Sequence, residues 1–96
     1  MDSFKAYQGL VLITKEGDIA NGVYNRHDVI IRIKNGYLCD DVTDDGEIHP
    51  AIESSDGSHI EHWKNGILHC EDGPAVIDVI DDYEEWWEDG KLMKRT

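Results

Sequence analysis

An all-β fold is predicted by this 96-residue sequence: an antiparallel meander of β-hairpin repeats in one small domain. Three observations carry the prediction. Three phrases align, Ile33-Lys34-Asn35-Gly36-Tyr37-Leu38, Trp63-Lys64-Asn65-Gly66-Ile67-Leu68 and Trp87-Glu88-Asp89-Gly90-Lys91-Leu92. A second phrase keeps step with them, because Pro50-Ala51-Ile52 and Pro74-Ala75-Val76 each stand thirteen residues ahead of a repeat Trp. Finally, no stretch of ten or more residues shows a helical period of apolar positions. The repeat unit is therefore Pro-Ala, strand, turn, strand, Trp, tight turn, Leu. Its spacing is thirty residues and then twenty-four, the difference falling in the acidic run after Cys39.

Asn-Gly and Asp-Gly between apolar residues signal two-residue type I′ turns, in which both central residues need positive φ. Such turns fix the pairing: Ile33 with Leu38, Lys34 with Tyr37, Trp63 with Leu68 and Trp87 with Leu92. Opposed residues share a sheet face, so each repeat offers one large-apolar–Leu pair to a core. The next pairs outward are Arg32–Cys39, His62–His69 and Trp86–Met93.

Taken in order, Met1 to Gln8 reads as a short helix or a lead-in. Gly9 to Thr14 is a continuous apolar run and reads as a buried strand. Lys15 to Asp18 is a turn. Ile19 to Tyr24 is a strand with a weak point at Asn21-Gly22. Asn25 to Asp28 turns again, and the β-branched run Val29 to Ile33 enters the first repeat turn. Asp40 to Glu47 is an acidic loop. Ile48 to Ile52 resumes as a strand at a sheet edge or starting at Pro50, which has no N–H for a ladder. Glu53 to Ser58 is a turn. His59 to Trp63 pairs with Ile67 to His69. Ala75 to Ile80 pairs with Tyr83 to Trp87 across Asp81-Asp82, and Lys91 to Lys94 closes the chain. Residues 1–32 are thus divergent strands and residues 33–96 the hairpin repeats, with the acidic loop at 40–47.

The phrase Trp63-Lys64-Asn65-Gly66-Ile67-Leu68-His69-Cys70-Glu71-Asp72-Gly73-Pro74-Ala75 resembles the W-x-x-N-G-x-x-H-R-x-D-G-P-A repeat, a divergent relative of the MORN-like hairpin repeats of phage, bacterial and large-virus proteins. The resemblance covers Trp63 to Arg95 well and Ile33 to Ile52 weakly, and leaves the first thirty residues uncovered. Cys70 stands where the pattern has Arg, and Met93 where the last repeat would have His. The resemblance implies stacked hairpins and no catalytic residue; some bacterial relatives are labelled antitoxins.

One domain of this size supports a modest core, in which Trp63, Trp86 and Trp87 are expected to carry much of the burial. No run approaches the length of a membrane span. Met1-Asp2-Ser3-Phe4-Lys5 lacks the basic and apolar regions of a signal peptide. Cys39 and Cys70 give no disulfide framework, and alternation from their turn glycines places them on opposite faces as free thiols. A cytoplasmic protein is expected, in a host cytoplasm if phage-encoded as the resemblance implies.

The formal charge is −12, and it is uneven: residues 1–38 hold four acids and five bases, residues 39–90 seventeen acids and one base, Lys64, and residues 91–96 three bases. Phosphate contacts need Lys and Arg, so direct nucleic-acid binding is disfavoured; a basic partner is favoured by long-range steering. The acidic doublets are either a solvated surface or an imitation of phosphate. Duplex DNA carries about one charge per 1.7 Å, and strands about 4.8 Å apart bearing doublets at successive turns approach that density.

Other chemistries have weaker support. Asp41-Val42-Thr43-Asp44-Asp45-Gly46 begins like an EF-hand loop, but its twelfth position is Ile52 rather than Glu. His59, His62, His69 and Cys70 fall on one hairpin at reach for zinc, although a turn-capping or packing role for His69 explains its place better. Ser54, Ser55 and Ser58 sit in a turn. Cys70 beside His69 is not a catalytic pair, because strand neighbours point to opposite faces. No carboxylate pair is singled out for glycoside chemistry, and a flat sheet is expected to offer no deep pocket. The sequence predicts no enzyme and no cofactor or metal.

The functional expectation is a non-enzymatic acidic protein that binds and inhibits a basic, nucleic-acid-handling protein. A nuclease, polymerase, restriction or CRISPR effector is the target class, which would make the protein a counter-defence inhibitor such as an anti-CRISPR or anti-restriction protein, acting by nucleic-acid mimicry. The partner-binding residues would be Asp40, Asp41, Asp44, Asp45, Glu47, Glu71, Asp72, Asp81, Asp82, Glu84, Glu85, Glu88 and Asp89, with Tyr83 or Trp86 as an aromatic anchor. The alternative is a scaffolding or antitoxin-like repeat module whose exposed edges pair with another sheet or another copy, so a homo-oligomer stays open.

Overall fold

The computed structural model describes residues 4–96. Within the predicted N-terminal lead-in it forms a 3-10 turn, Lys5–Tyr7; Met1 to Ser3 of that lead-in lie outside the described residues. Strands follow in the order β1 Gly22–Arg26, β2 Val29–Lys34, β3 Tyr37–Leu38, β4 Asp41–Val42, β5 Ile48–His49, β6 Ile52–Ser54, β7 His59–Glu61, β8 Trp63–Lys64, β9 Ile67–Leu68, β10 Val76–Asp78, β11 Tyr83–Glu88 and β12 Lys91–Arg95. One antiparallel sheet runs β1-β2-β6-β7-β10-β11-β12, with β3 extending the hairpin from the end of β2. The pairs β4–β5 and β8–β9 are separate ladders.

All three predicted turns form with both central residues in the left-handed region. Asn35, Asn65 and Asp89 have φ of 51, 48 and 48°, and Gly36, Gly66 and Gly90 have φ of 89, 87 and 82°. The predicted pairs Ile33–Leu38, Lys34–Tyr37, Trp63–Leu68 and Trp87–Leu92 are all present. One step out, the N–H of Cys39 donates to the Arg32 carbonyl and that of His69 to the His62 carbonyl, each at 3.2 Å.

The turns stack into a column. The N–H groups of Gly36, Gly66 and Gly90 donate to the carbonyls of Ala20, Leu38 and Leu68 at 2.8, 2.8 and 3.0 Å. The first residue of a turn is held from the preceding repeat: Asn21 Oδ1 accepts from the Asn35 N–H and His69 Nδ1 from the Asp89 N–H, both at 3.0 Å. Ala20-Asn21 therefore stand where Leu68-His69 stand, and residues 20–33 are a diverged repeat without Trp or Pro-Ala. The capping role for His69 is this bond.

Pairing places Ile31, Ile52, Glu61, Val76 and Glu85 in one row across the inner face. Ala51, Ile52, Trp63, Leu68, Ala75 and Val76 form the fully buried centre. Ile33, Leu38, Trp63 and Leu68 join one buried cluster, whereas in the last repeat Trp87 is only partly buried against it and Leu92 is exposed.

Several expectations are corrected. The run Gly9 to Thr14 is not a buried strand. Its bonds go to the turn column, Leu12 N–H to the Gly36 carbonyl, with one isolated bridge between Ile13 and Ile19. Strand β1 begins after the weak point, at Gly22. The acidic loop 40–47 is partly a hairpin, because Asp41–Val42 pairs with Ile48–His49. Pro50 divides the predicted strand Ile48 to Ile52 between two ladders, and the next N–H, of Ala51, goes to Asp40 Oδ1 at 2.8 Å. The strand from Ala75 ends at Asp78 instead of Ile80, since Asp78 Oδ1 accepts the Asp81 N–H at 2.9 Å and closes the loop Val79 to Asp82 early. Trp86 pairs with Lys94 instead of Met93 across a bulge between Trp86 and Trp87.

Candidate functional site

The repeat Trp residues are each tied to a Glu two positions earlier, which strand alternation puts on the same face. Trp63 Nε1–H donates to Glu61 Oε1 at 3.0 Å, and Trp87 Nε1–H to Glu85 Oε1 at 3.1 Å. Both carboxylates are buried. At the matching place in the diverged repeat, Ile31 and Ile33 replace the pair. Where the indole is absent the carboxylate is absent too, because a buried carboxylate without donors costs several kcal/mol.

The remaining oxygens of these carboxylates hold the start of the chain down. The Phe4 N–H donates to Glu61 Oε2 at 3.0 Å, and Lys5 Nζ and Arg95 Nε lie 3.2 and 3.0 Å from Glu85 Oε2. Glu61 Oε2 also faces His59 Nε2 at 2.6 Å, and His59 Nδ1 faces Asp78 Oδ2 at 2.9 Å. With both ring nitrogens against carboxylates, the protonated imidazole donates to both. Burial pushes His59 down, but the hydrogen bonds and charges of Glu61 and Asp78 outweigh it and hold the pKa above its ordinary value. Burial likewise opposes ionisation of Glu85, and the Trp87 indole, Lys5 and Arg95 reverse it, leaving its pKa lowered. This network is structural.

The acidic residues predicted to bind a partner divide into distinct groups. Asp40 is internal: its Oδ1 accepts the N–H groups of Ala51 and Trp63 at 2.8 and 3.0 Å, and its Oδ2 faces His62 Nδ1 at 2.8 Å. Glu85 is internal as described. Tyr83 is no exposed anchor but packs against the core cluster. Trp86 lies half-buried on the outer face, with Lys94 Nζ 4.7 Å from its ring centre. Asp45 is held by the Thr43 hydroxyl and the Glu47 N–H at the tip of the β4–β5 hairpin, which lowers its pKa. Asp41 pairs with Lys34 at 3.4 Å and Glu47 lies 3.7 Å from His49.

Among the described residues, the carboxylates of Asp44, Asp72, Asp81, Asp82, Glu84 and Glu88 have no hydrogen bond or ion pair. They do not form one patch. Asp81 and Asp82 precede β11 and Glu88 and Asp89 end it, so the two groups are separated by the length of a six-residue strand, about 17 Å. Glu71 and Asp89 meet at the turn-column end, each 3.6 Å from His69, with Asp72 and Glu88 beside them in the chain and Asp41 on Lys34 next to the first turn.

That end borders a groove of about 630 Å³ between the β4–β5 hairpin and the turn at Glu71 to Pro74. Val42, Ile48 and Ile77 give it apolar walls, and Glu71 and Asp72 line it together with Lys34 and Lys64. A flat sheet without a cleft is therefore not what forms. Cys39 and Cys70, expected on opposite faces, are both free and both border this groove, because stacking of successive repeats brings them to one side. His69 Nδ1 accepts the Asp89 N–H, so the ring proton is on Nε2; that atom is buried without a hydrogen-bond partner, 3.6 Å from Glu71 Oε1. His59, His62 and His69 do not converge: the first is in the buried network, the second on Asp40, the third on the turn. No group of three or more His, Cys, Asp or Glu side chains among the described residues is arranged to hold a metal ion, and no described helix is long and apolar enough to cross a membrane.

The residues missed in the sequence are Glu61 and Asp78, together with the structural roles of His59 and Glu85. For the two glutamates the signal was present: Glu61-His62-Trp63 and Glu85-Trp86-Trp87 both read Glu-x-Trp at one repeat position. No family model, curated protein or solved structure matches the chain significantly.

Proposed function

We propose that this chain is a MORN-like hairpin-repeat protein that acts without catalysis, by presenting its acidic turn-column end and groove to a basic, nucleic-acid-handling protein and blocking it. The observation that carries this reading is the charge balance of residues 39–90, seventeen acids against Lys64 alone, together with the several carboxylates there that no internal partner neutralises. Solubility needs a net charge magnitude of only about 2–8 for a small domain. Asp41, Glu71, Asp72, Glu88 and Asp89 supply Coulombic steering, and the apolar groove walls supply the desolvated contact that charge alone does not give. Two properties narrow the mechanism. The carboxylates at Asp81-Asp82 stand at the far end of β11 from Glu88, so the charge is presented as separate acidic groups and not as the continuous row of a long duplex mimic. Asp40 and Glu85 are held by internal hydrogen bonds, so the contact is assigned to the outer carboxylates.

The test is capture from bacterial lysate at low and high salt, with the bound protein identified by mass, using the parent and a Glu71→Lys/Asp72→Lys/Glu88→Lys variant. One basic, nucleic-acid-handling protein retained by the parent at low salt, weakened by salt and lost with the variant is the expected outcome. Equal retention by parent and variant, or indifference to salt, would remove the reading.

A further inference from the structure

We propose that two copies of this chain associate through β1 and the apolar segment ahead of it, β1 pairing edge to edge with β1 of the second copy. The main sheet ends in β1 on one side and β12 on the other. These edges differ. Strand β12 is exposed throughout and carries Lys91, Lys94 and Arg95 in its five residues, a charge density that blocks addition of another strand. Strand β1, Gly-Val-Tyr-Asn-Arg, has one charge, at its last residue, and leaves its outer row of backbone groups unguarded.

Beside that edge lies apolar surface. Of the twelve large apolar side chains that are exposed among the described residues, six fall within residues 7–23: Tyr7, Leu10, Val11, Ile13, Ile19 and Val23. Ile13, Ile19 and Val23 are 64, 63 and 67% exposed, although the run from Gly9 reads in the sequence as buried. Val11, Ile13 and Ile19 lie together, and Val23 is on the edge strand itself. Ile13 bridges to Ile19, and Val11 Cγ1 and Ile19 Cγ2 both crowd the same point above Gly36, 2.7 and 3.2 Å from where a Cβ would stand. Tyr7 and Ile13 line a cavity of about 640 Å³ together with Tyr24 and Arg26 of β1, so the apolar segment reaches the inner face of the edge strand.

Charge selects the occupant. Residues 1–38 hold four acids and five bases, whereas the whole chain is at −12. A basic partner is steered to the acidic repeats and away from this near-neutral third. Two copies repel where acidic repeat meets acidic repeat or β12 meets β12, whereas residues 7–26, with Lys15 and Arg26 against Glu16 and Asp18, meet their own copy with little opposition. A strand paired antiparallel with its own copy is self-complementary under a two-fold axis, which closes the assembly at a dimer. The groove beside the β4–β5 hairpin stays free in this arrangement, so the inference stands independently of the proposed function.

Sedimentation velocity of the full chain, from low to high micromolar concentration, tests it with three Lys variants at exposed positions. Val23→Lys places a charge on the open edge as β12 already carries. Ile13→Lys charges the adjoining surface. Ile80→Lys, in the loop between β10 and β11, is the control, since Ile80 is 73% exposed and belongs to neither. The parent and Ile80→Lys should pass from monomer to dimer as concentration rises. Val23→Lys and Ile13→Lys, with circular dichroism unchanged, should weaken the dimer by about tenfold or more, the scale of one lost interface residue. A parent that stays monomeric throughout, including one that instead takes up an apolar dye in the cavity, overturns the proposal. So does a Val23→Lys and Ile13→Lys pair that dimerises as the parent does.

Discussion

Glu61→Ala removes the acceptor on which the buried network converges. Glu61 is fully buried, and its carboxylate receives the Trp63 indole N–H, the Phe4 N–H and the proton of His59 Nε2. Each buried donor left without an acceptor costs about 1–3 kcal/mol, and one half of a buried charged pair left alone costs about 3–5 kcal/mol. The terms do not add, because His59 can release its proton and the Phe4 amide near the chain start can reach water. A total loss of about 3–5 kcal/mol follows. A domain of this length holds roughly 5–14 kcal/mol at about 0.05–0.15 per residue, so the variant should lose about a fifth or more of its stability. Glu61→Gln keeps an acceptor for Trp63 and Phe4 and gives up only the charge, and should fall between the two. Urea unfolding followed by Trp fluorescence measures the difference, with the m-value showing whether the unfolding surface is preserved. A Glu61→Ala variant within about 1 kcal/mol of the parent at neutral pH, with the same m-value, would refute the reasoning.

Four further outcomes are expected. The His59 pKa is raised in the fold, so its contribution is complete below the ordinary His value of about 6.5 and is lost as pH rises through the folded value; the melting temperature should decline on the alkaline side, and His59→Gln should flatten that limb. On the acid side Asp78, held mainly by the Asp81 N–H, and Glu85, held against burial by Trp87 and Lys5, both titrate below their ordinary values, so their stabilisation is present above about pH 4 and lost as pH falls further. Gly66→Ala and Gly46→Ala share a strained φ of 87 and 86°, but only at Gly66 would the new Cβ stand 2.7 Å from Tyr37 Cδ1; Gly46→Ala should cost about 1 kcal/mol and Gly66→Ala clearly more by denaturant unfolding, with equal losses contradicting the stacked-turn column. Asp40→Ala frees the N–H groups of Ala51 and Trp63, and should cost about 2–4 kcal/mol; both amides should exchange faster with solvent, while Asp40→Asn restores much of their protection.

The acidic surface shows why sequence reasoning stops short at the site. Asp40 and Asp41 are neighbours of one type, yet Asp40 bonds two backbone N–H groups and Asp41 pairs with Lys34 in solvent. The difference follows from which side of the chain faces Trp63 when the repeats stack. Glu84 and Glu85 divide for a simpler reason, strand alternation, which was legible once β11 was placed. The Glu-x-Trp phrase was legible too, but its meaning needed the indole and carboxylate to be seen buried together.

By itself the sequence determined the local rules: Asn-Gly and Asp-Gly can take positive φ where most residues cannot, so the turns, their flanking pairs and the all-β class followed from the chain alone. Tertiary structure decided what those hairpins do to one another. Stacking put Asn21 in the role of His69 and made residues 20–33 a repeat that shares little sequence with the others. It carried the bonds of Leu12 and Ala20 into the turn column, and so left Ile13 exposed where a ladder would have buried it. A turn type depends on a few adjacent residues, whereas burial depends on which distant surfaces arrive, and that is fixed only when the whole sheet has closed.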